Sequence, residues 1–433
     1  MKKGLKLTLY TVMLIQALLA FVWIIMCGIS SPVIREEGEY LSVAFENVTA
    51  DEYTGLLYPV FLSITNNAEG TLLITAILQL LVLAAGIFML LSACCKKAGF
   101  CERILLCVAV LSCPFIIQSA FSLTPHALCL GLFLMWLSFS AFNTCKQNKI
   151  QKILAELLPI CTILLWKVYV YVYAISALVL LVINLKNKNK DIKALRRFLI
   201  TIGELVLAFV IFMFTVTPGA NNKMPNSMST GLMNTYAFEA FESDYYFWPE
   251  EAKQLIAFEN VKSMINGKDE AIFVMGNYFS DMSYIERDKT GLLIAKGSLF
   301  NRSRESIDRF IGNGIEYVLF PYTVIKNLDG DGKSLTAYRY FDMSGNTPLY
   351  AGVYIRLWFI LMCVFASVSL LCFKRADANM IVFALMLTLL LGFFMGSFAL
   401  TYFDYFLMLP AAAVMGAMLC SYAVKETKTK KAD

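Results

Sequence analysis

Residues 71–95 read TLLITAILQLLVLAAGIFMLLSACC, an uncharged run that ends directly before Lys96 and Lys97. A helix needs about 20 consecutive apolar residues to cross the hydrocarbon core of a bilayer, because each residue advances it by about 1.5 Å. The run therefore predicts a membrane-spanning helix. Lysines are enriched in cytoplasmic segments, so we expect the end that carries Lys96 and Lys97 to face the cytoplasm.

Further apolar runs along the chain predict about ten spanning helices in all. Besides 71–95, they cover residues 7–29, 104–120, 123–144, 153–167, 169–185, 198–217, 352–373, 379–400 and 403–424. The composition agrees, since 58% of residues are hydrophobic and 16% are charged, against about 25% charged in a soluble domain. One water-soluble core cannot absorb this much apolar sequence, so we expect a polytopic α-helical membrane protein. Secreted disulfide scaffolds, disordered chains and cytosolic enzymes are excluded.

The basic residues indicate one orientation for all of these spans. Clusters precede the first span and follow the second, fourth, sixth, eighth and tenth, at residues 2–6, 96–103, 146–152, 186–197, 374–375 and 425–431. Each cluster falls on the same side, which predicts that both termini are cytoplasmic and that the first run is an uncleaved span. The net charge of +5 is dispersed over these span ends, so we expect no nucleic acid partner.

The apolar runs divide the chain into three parts. Residues 1–217 form an N-terminal transmembrane module, whose first external loop, 30–70, is acidic. Residues 218–350 are predicted to form a small extracytoplasmic α/β domain, because helices at 249–266 and 303–311 alternate there with strands at 271–276 and 314–320. Residues 351–433 form a C-terminal transmembrane module with a basic cytoplasmic tail.

Cysteine and histidine usage argues against disulfides and metal sites. None of the twelve cysteines lies between Pro218 and Tyr350, and most lie inside apolar runs, where cysteine behaves as a small buried hydrophobe. The chain has one histidine, His126, which excludes histidine-based catalytic triads and multi-histidine metal sites. We expect no metal site and no required cofactor. The sequence leaves open whether a divalent cation takes part, but no cluster of ligand residues supports one.

Charged and polar residues near the predicted outer face are the candidates for function. Glu36 and Glu37 follow the first span as adjacent carboxylates, for which a solvated acidic loop is the plain alternative. Lys167 stands between two apolar runs, and Arg356 enters the eighth span from the same side. Such residues either extend towards the interface or carry function. His126, at the turn between the third and fourth spans, is either a satisfied polar residue or a functional one.

The order of these motifs resembles the GT-C superfamily of integral membrane glycosyltransferases, which includes protein O-mannosyltransferases and the aminoarabinose transferases of lipid A. Glu36-Glu37 stands where that family has an acidic motif, commonly with Asp, and Tyr58-Pro59 stands at its entry to the second span. Leu165-Trp166-Lys167 resembles the family's Thr-Lys break between the fifth and sixth spans. Residues 113–115 and 124–128 resemble its third and fourth spans, although an acid is common where His126 stands. Residues 402–411 resemble its Leu-Pro entry to the last span, without the usual basic residue near Asp404.

The resemblance implies a donor sugar on a polyprenyl phosphate and an unknown extracytoplasmic acceptor, with membrane lipids around both. Glu36 or Glu37 would accept the acceptor's proton, and Lys167 or Arg356 would stabilise the leaving phosphate. Attack from the opposite face would invert the anomeric centre without a covalent nucleophile. Four further residues would line the substrate pocket: Tyr40, Tyr58, His126 and Asp404.

Two other classes of protein stay open. A lipid or solute transporter is expected to have charged residues near the midpoints of its spans and inverted repeats. The sequence shows no repeat, and Glu204 is the one deeper acid in a span. A catalytically silent GT-C-like scaffold would use the external domain to bind a partner.

The alternation of basic clusters makes the topology testable. A reporter fused after Lys425 is expected to report the cytoplasm, and one inserted near Asn266 the outside, because three spans, an odd number, separate the external domain from the basic tail. Alkaline phosphatase and fluorescent protein fusions measure the two sides. Swapped signals would place Glu36, Lys167 and Arg356 in the cytoplasm and exclude an outer-face site.

Overall fold

The computed structural model describes residues 57–65, 73–94, 100–111, 125–140, 149–167, 169–185, 191–215 and 245–255. It also describes single residues and short pieces within 11–18, 292–297 and 304–315, and at 120, 390 and 393. Several predictions of the sequence lie outside this part of the chain: Glu36, Glu37, Tyr40, Arg356, Asp404, the strand at 271–276 and the spans at 352–373 and 403–424.

The described segments are helical. The helices are α1 Leu57–Thr65, α2 Leu73–Cys94, α3 Phe100–Leu111, α4 His126–Ser140, α5 Lys149–Leu165, α6 Tyr169–Leu185, α7 Asp191–Thr215 and α8 Glu250–Leu255. Helices α2 and α4 to α7 lie on segments that the sequence predicted as spans, and α7 begins seven residues earlier, at Asp191 rather than 198. Among the described residues, Ile74–Ala93 alone is long and apolar enough to cross a membrane, and His126–Ser140 and Tyr169–Val182 are shorter apolar helices.

Helix α1 carries Tyr58-Pro59, the predicted entry to the second span, and ends at Thr65. Its nine residues begin at Leu57, which puts Pro59 in the first turn, where a missing N–H breaks no helical hydrogen bond. Helix α1 contacts both α2 and α5. It buries Tyr58 and Leu62 completely and leaves Ile64 exposed, as expected of a short amphipathic helix lying against two others.

Contacts between α2 and α3 show that the two helices are antiparallel. The ring centroids of Phe88 and Phe100 are 5.8 Å apart. Further along α3, the Cys107 thiol donates to the Ala84 carbonyl at 3.5 Å. Residue numbers thus rise on α3 as they fall on α2, which is the order of a helical hairpin.

Helices α4 to α7 also alternate in direction. The start of α4 meets the end of α5, since His126 packs on Trp166 and the Cys129 thiol donates to the Thr162 carbonyl at 3.7 Å. The far end of α4 meets the start of α7, since Arg197 donates to the Ser140 carbonyl at 3.5 Å. Helix α7 then runs back, so that Phe212 reaches Lys167 just beyond α5. Helices α5 and α7 therefore run in the same direction.

Two glycines allow α2 and α4 to cross with their backbones in contact. A Cβ atom on Gly131 would lie 2.7 Å from the carbonyl oxygen of Val82, and one on Gly86 would lie 2.9 Å from the Cα atom of Gly131. Carbon atoms do not approach backbone this closely without displacement, so only glycine fits at either position. Small residues at a crossing are the usual means by which membrane helices approach closely.

The surface of the described helices is apolar and several of their polar side chains are internal. Large exposed side chains include Leu81 on α2, Leu157 on α5, and Leu199, Val206, Leu207, Phe209 and Phe214 on α7. Buried side chains include Thr75, Gln79, Thr162 and Ser176, each with a hydrogen bond to another helix or to its own. The same helices thus expose large apolar side chains and bury hydrogen-bonded polar ones.

One local prediction for residues 218–350 is wrong. Gly314 and Ile315, which were expected to begin a strand at 314–320, are helical, as are the described residues of the helix predicted for 303–311. The reason is visible in the spacing of Ile307, Ile311 and Ile315, which recur every four residues and so share one helical face. The strand was predicted from β-branched and aromatic content, which is a weaker signal than periodicity.

The glycine crossing predicts a difference between otherwise similar substitutions. Gly86→Ala or Gly131→Ala is expected to destabilise the protein by about 1–3 kcal/mol, because the added methyl group overpacks a backbone contact. Gly203→Ala on α7 is the matched control, since a Cβ atom there meets nothing within 4 Å. It should be neutral or stabilising by up to about 1 kcal/mol through helix propensity. Thermal unfolding of the detergent-solubilised variants measures both, and equal effects at all three sites would contradict the close crossing.

Candidate functional site

Lys167 lies in a tight turn that reverses the chain between α5 and α6. The Trp166 amide donates to the Thr162 carbonyl at 2.9 Å and completes the last turn of α5. The amides of Tyr169 and Val170 then donate to the carbonyls of Trp166 and Lys167 at 3.2 and 3.0 Å. These two bonds join residues three apart rather than four, which tightens the turn. Helix α6 therefore starts at Tyr169, with only three residues between the helices.

The turn holds Lys167 inside the protein rather than at its surface. The side chain is 9% exposed, and its Nζ atom lies 5.9 Å from the centroid of the Phe212 ring on α7. An ammonium over an aromatic face is attracted by the negative face of the ring. Because it is withdrawn from bulk water, the charge acts on a nearby anion more strongly than an exposed lysine would.

His126 lies at the same end of the helices as Lys167. It is the first residue of α4 and is 4% exposed. Its ring lies edge-on to Trp166, with centroids 4.3 Å apart and an angle of 65°. The Cys129 amide donates to the Pro125 carbonyl at 2.9 Å, which begins the helix one residue earlier. Trp166 thus lies between two of the residues that the sequence singled out, because it packs against His126 and directly precedes Lys167 in the chain.

Tyr58 is held by a chain of hydrogen bonds that the sequence did not indicate. Its hydroxyl donates to the Gln79 Oε1 atom at 3.3 Å, and Gln79 Nε2 donates to the Ala120 carbonyl at 3.0 Å. Thr65 and Thr75 join α1 to α2 a second time, with their hydroxyls 2.8 Å apart. Tyr58 and Gln79 are fully buried. Tyr58 therefore positions α1 against α2 through its hydroxyl, and its expected contact with substrate stays a prediction.

An aromatic cluster on α4 and α6 lies beneath the turn. The Tyr173 ring packs edge-on against Phe133 and Trp136, with centroids 5.3 and 4.9 Å apart. Its hydroxyl lies 2.9 Å from the Thr162 hydroxyl on α5. Tyr169, the first residue of α6, also packs against Phe133, at 6.1 Å. These contacts fix the directions of α5 and α6 on either side of Lys167.

Sequence reasoning missed Gln79 and Thr162, although one signal could have found the first. Gln79 is the only side-chain amide in the uncharged run 71–95, and a polar residue inside a spanning helix usually bonds to a neighbouring helix. Thr162 gave no such signal, because a threonine hydroxyl can be satisfied within its own helix. The Thr162 hydroxyl does bond the Leu158 carbonyl in this way.

Of the candidate residues, the structure describes Tyr58, His126 and Lys167. His126 and Lys167 are brought to one end of the helices, and Tyr58 is on α1, which contacts α2 and α5. Within the described ranges, no group of three or more His, Cys, Asp or Glu residues could hold a metal ion. Four described cysteines are free thiols: Cys101, Cys107, Cys129 and Cys161.

Comparisons with the models of known protein families, with curated proteins and with solved structures find no match for this chain.

Proposed function

We propose that this protein is a multi-pass membrane glycosyltransferase that moves a sugar from a polyprenyl-phosphate donor to an extracytoplasmic acceptor, with inversion. The acceptor is a cell-envelope glycan, lipid or protein. The observation that carries the proposal is the burial of Lys167 in the turn between α5 and α6, beside Trp166 and at the same end as His126. A buried cation at a helix turn supports the binding of an anionic lipid headgroup.

The distribution of side chains supports a bilayer as the environment of these helices. Leucine, isoleucine, valine and phenylalanine are exposed along α2, α5 and α7, and large exposed apolar patches are rare on soluble monomers. The hydrogen-bonded polar side chains are internal, as they must be where lipid offers no partner. The proposal includes about ten spans, with both termini in the cytoplasm and the α/β domain outside.

The proposed reaction needs a cation for the leaving phosphate and a carboxylate for the acceptor's proton. Lys167 stabilises the negative charge that develops on the phosphate, and Arg356, with its bidentate guanidinium, is the second candidate. Glu36 or Glu37 accepts the proton as the hydroxyl attacks the anomeric carbon from the face opposite the phosphate. No covalent intermediate is required, so no nucleophilic side chain takes part.

The cationic half of the proposal is tested with Lys167→Met. This variant keeps the aliphatic length and removes the charge, so donor binding is expected to weaken by about tenfold or more, the effect of one charge-assisted hydrogen bond. Titration of a polyprenyl-phosphate analogue into the detergent-solubilised protein measures the affinity. Lys149→Met is the matched control, since Lys149 is exposed at the other end of α5.

Two outcomes would contradict a role of Lys167 in binding the donor. Unchanged affinity in Lys167→Met would mean that its ammonium serves contacts within the protein, such as that with Phe212, and not donor binding. An equal loss in Lys149→Met would mean that binding responds to net charge rather than to the buried site. Elution as a single symmetrical peak in size-exclusion chromatography establishes that each variant is folded.

The catalytic half is tested with Glu36→Gln and Glu37→Gln. Each keeps the size of the side chain and removes the proton acceptor, so one of the two is expected to lose turnover by about 10²–10⁴-fold. Donor binding should be retained, because the lost carboxylate does not hold the phosphate. Transfer is measured from a radiolabelled polyprenyl-phosphate sugar, and normal rates in both variants would assign the pair to a solvated acidic loop.

A further inference from the structure

A second charged region lies at the end of the helices opposite Lys167. Four helices, α4 to α7, enclose a cavity of about 140 Å³ there. Two cations and two carboxylates line it: Lys152 and Glu156 from α5, and Arg197 and Glu204 from α7. By the proposed topology this end faces the cytoplasm, so the cavity is separate from the proposed transfer site.

The lining residues recur at helical spacing, which shows that each helix presents one face to the cavity. Helix α7 contributes Arg197, Thr201 and Glu204, at i, i+4 and i+7, and α5 contributes Lys152, Ala155 and Glu156. Trp136 and Ser140 come from α4. The cavity is therefore part of the helix packing and not a gap between loops.

The charges are arranged in two levels. On α5 and α7, which run in the same direction, the cation comes first and the carboxylate follows one or two turns later. At about 1.5 Å per residue, the levels are about 6–10 Å apart along the helices. Lys152, Glu156 and Arg197 are exposed, whereas Glu204, the deepest of the four along its helix, is half-buried.

The four charged residues that line the cavity form no salt bridge with one another. The salt bridge found within the described residues joins Lys253 to Glu250 on α8, and none joins Lys152, Glu156, Arg197 and Glu204. Arg197 makes one long hydrogen bond, to the Ser140 carbonyl. Of the four residues, Glu156 and Glu204 lie inside predicted spans, where a charge is costly and marks a site of function unless it is neutralised.

The carboxylate level of the cavity has the chemistry of a cation site. Carboxylates bind an ammonium group directly, and the face of an indole ring such as that of Trp136 attracts it. The Ala155 carbonyl is a further acceptor, because Pro159 lacks the N–H that would donate to it in an α-helix. Ala155 is itself a lining residue. The other level, with its lysine and arginine, instead favours an anion.

We propose that this cavity binds a small linear zwitterion, with its ammonium group at Glu156 and Glu204 and its anionic group at Lys152 and Arg197. Leu180, Leu181 and Ile200 line the wall between the two levels and pack against the connecting methylene groups. The net charge of the four side chains is zero, which matches a ligand of zero net charge better than a simple cation or anion. An ω-amino acid such as 6-aminohexanoate separates its charges by about the required distance.

The test is a titration of the detergent-solubilised full-length protein with 6-aminohexanoate, hexylamine and hexanoate, followed by isothermal calorimetry. The zwitterion is expected to bind most tightly. Glu204→Gln should weaken both 6-aminohexanoate and hexylamine by about tenfold, and Arg197→Gln should weaken 6-aminohexanoate and hexanoate but not hexylamine. Arg196→Gln is the control, since the neighbouring Arg196 is exposed and does not line the cavity.

Lys152→Gln provides a second test of the cationic level that does not depend on Arg197, whose bond to the end of α4 contributes to folding. It should give the same pattern as Arg197→Gln. The proposal is overturned if 6-aminohexanoate does not bind, if hexylamine binds as tightly as the zwitterion, or if Arg196→Gln has the same effect as Arg197→Gln. Polyprenyl-phosphate binding at Lys167 is measured separately, so its outcome does not affect the test of the zwitterion site, and the reverse also holds.

Discussion

The contact between Gly86 on α2 and Gly131 on α4 is the constraint on which the remaining helix positions depend. No side chain separates the two backbones there, so α4 is fixed in depth and in rotation against α2. One face of α4 then carries Cys129, Phe133 and Trp136 towards α5 and α6. A larger residue at either glycine would move that face and with it the turn that holds Lys167.

Hydrogen bonds between helices add specificity to this packing. Apolar contacts alone distinguish poorly between helix pairs in an apolar solvent, because lipid tails pack against leucine as well as protein does. Gln79 joins α1 and α2 to residue 120, and Thr162 joins α5 to α6. Each unmet bond would leave a buried polar group without a partner, so these few contacts exclude alternative registers.

The described charges in the helices are concentrated at two ends, with an aromatic and aliphatic region between them. At one end Lys167 is enclosed by Phe212 and the α5–α6 turn. At the other, Lys152, Glu156, Arg197 and Glu204 share one cavity. Between them, the rings of Phe133, Trp136 and Tyr173 pack together. This separation is the basis for the two proposed sites, one for an anion and the other for a ligand with both charges.

The sequence alone determined where helices form and which residues were worth testing. Run lengths and basic clusters predicted the bounds of α2 and α6 to within two residues at each end, because apolar length is a local property of the chain. The strand predicted from β-branched and aromatic content is wrong at Gly314 and Ile315, which are helical. Lys167 was found from sequence because a lone charge between apolar runs is conspicuous. Tertiary structure decided the rest: that Gly86 and Gly131 meet, that Tyr58 bonds Gln79, and that Glu156 and Glu204 share a cavity with Lys152 and Arg197. These pairs are distant in the chain and depend on how helices rotate against each other, which no local pattern of residues specifies.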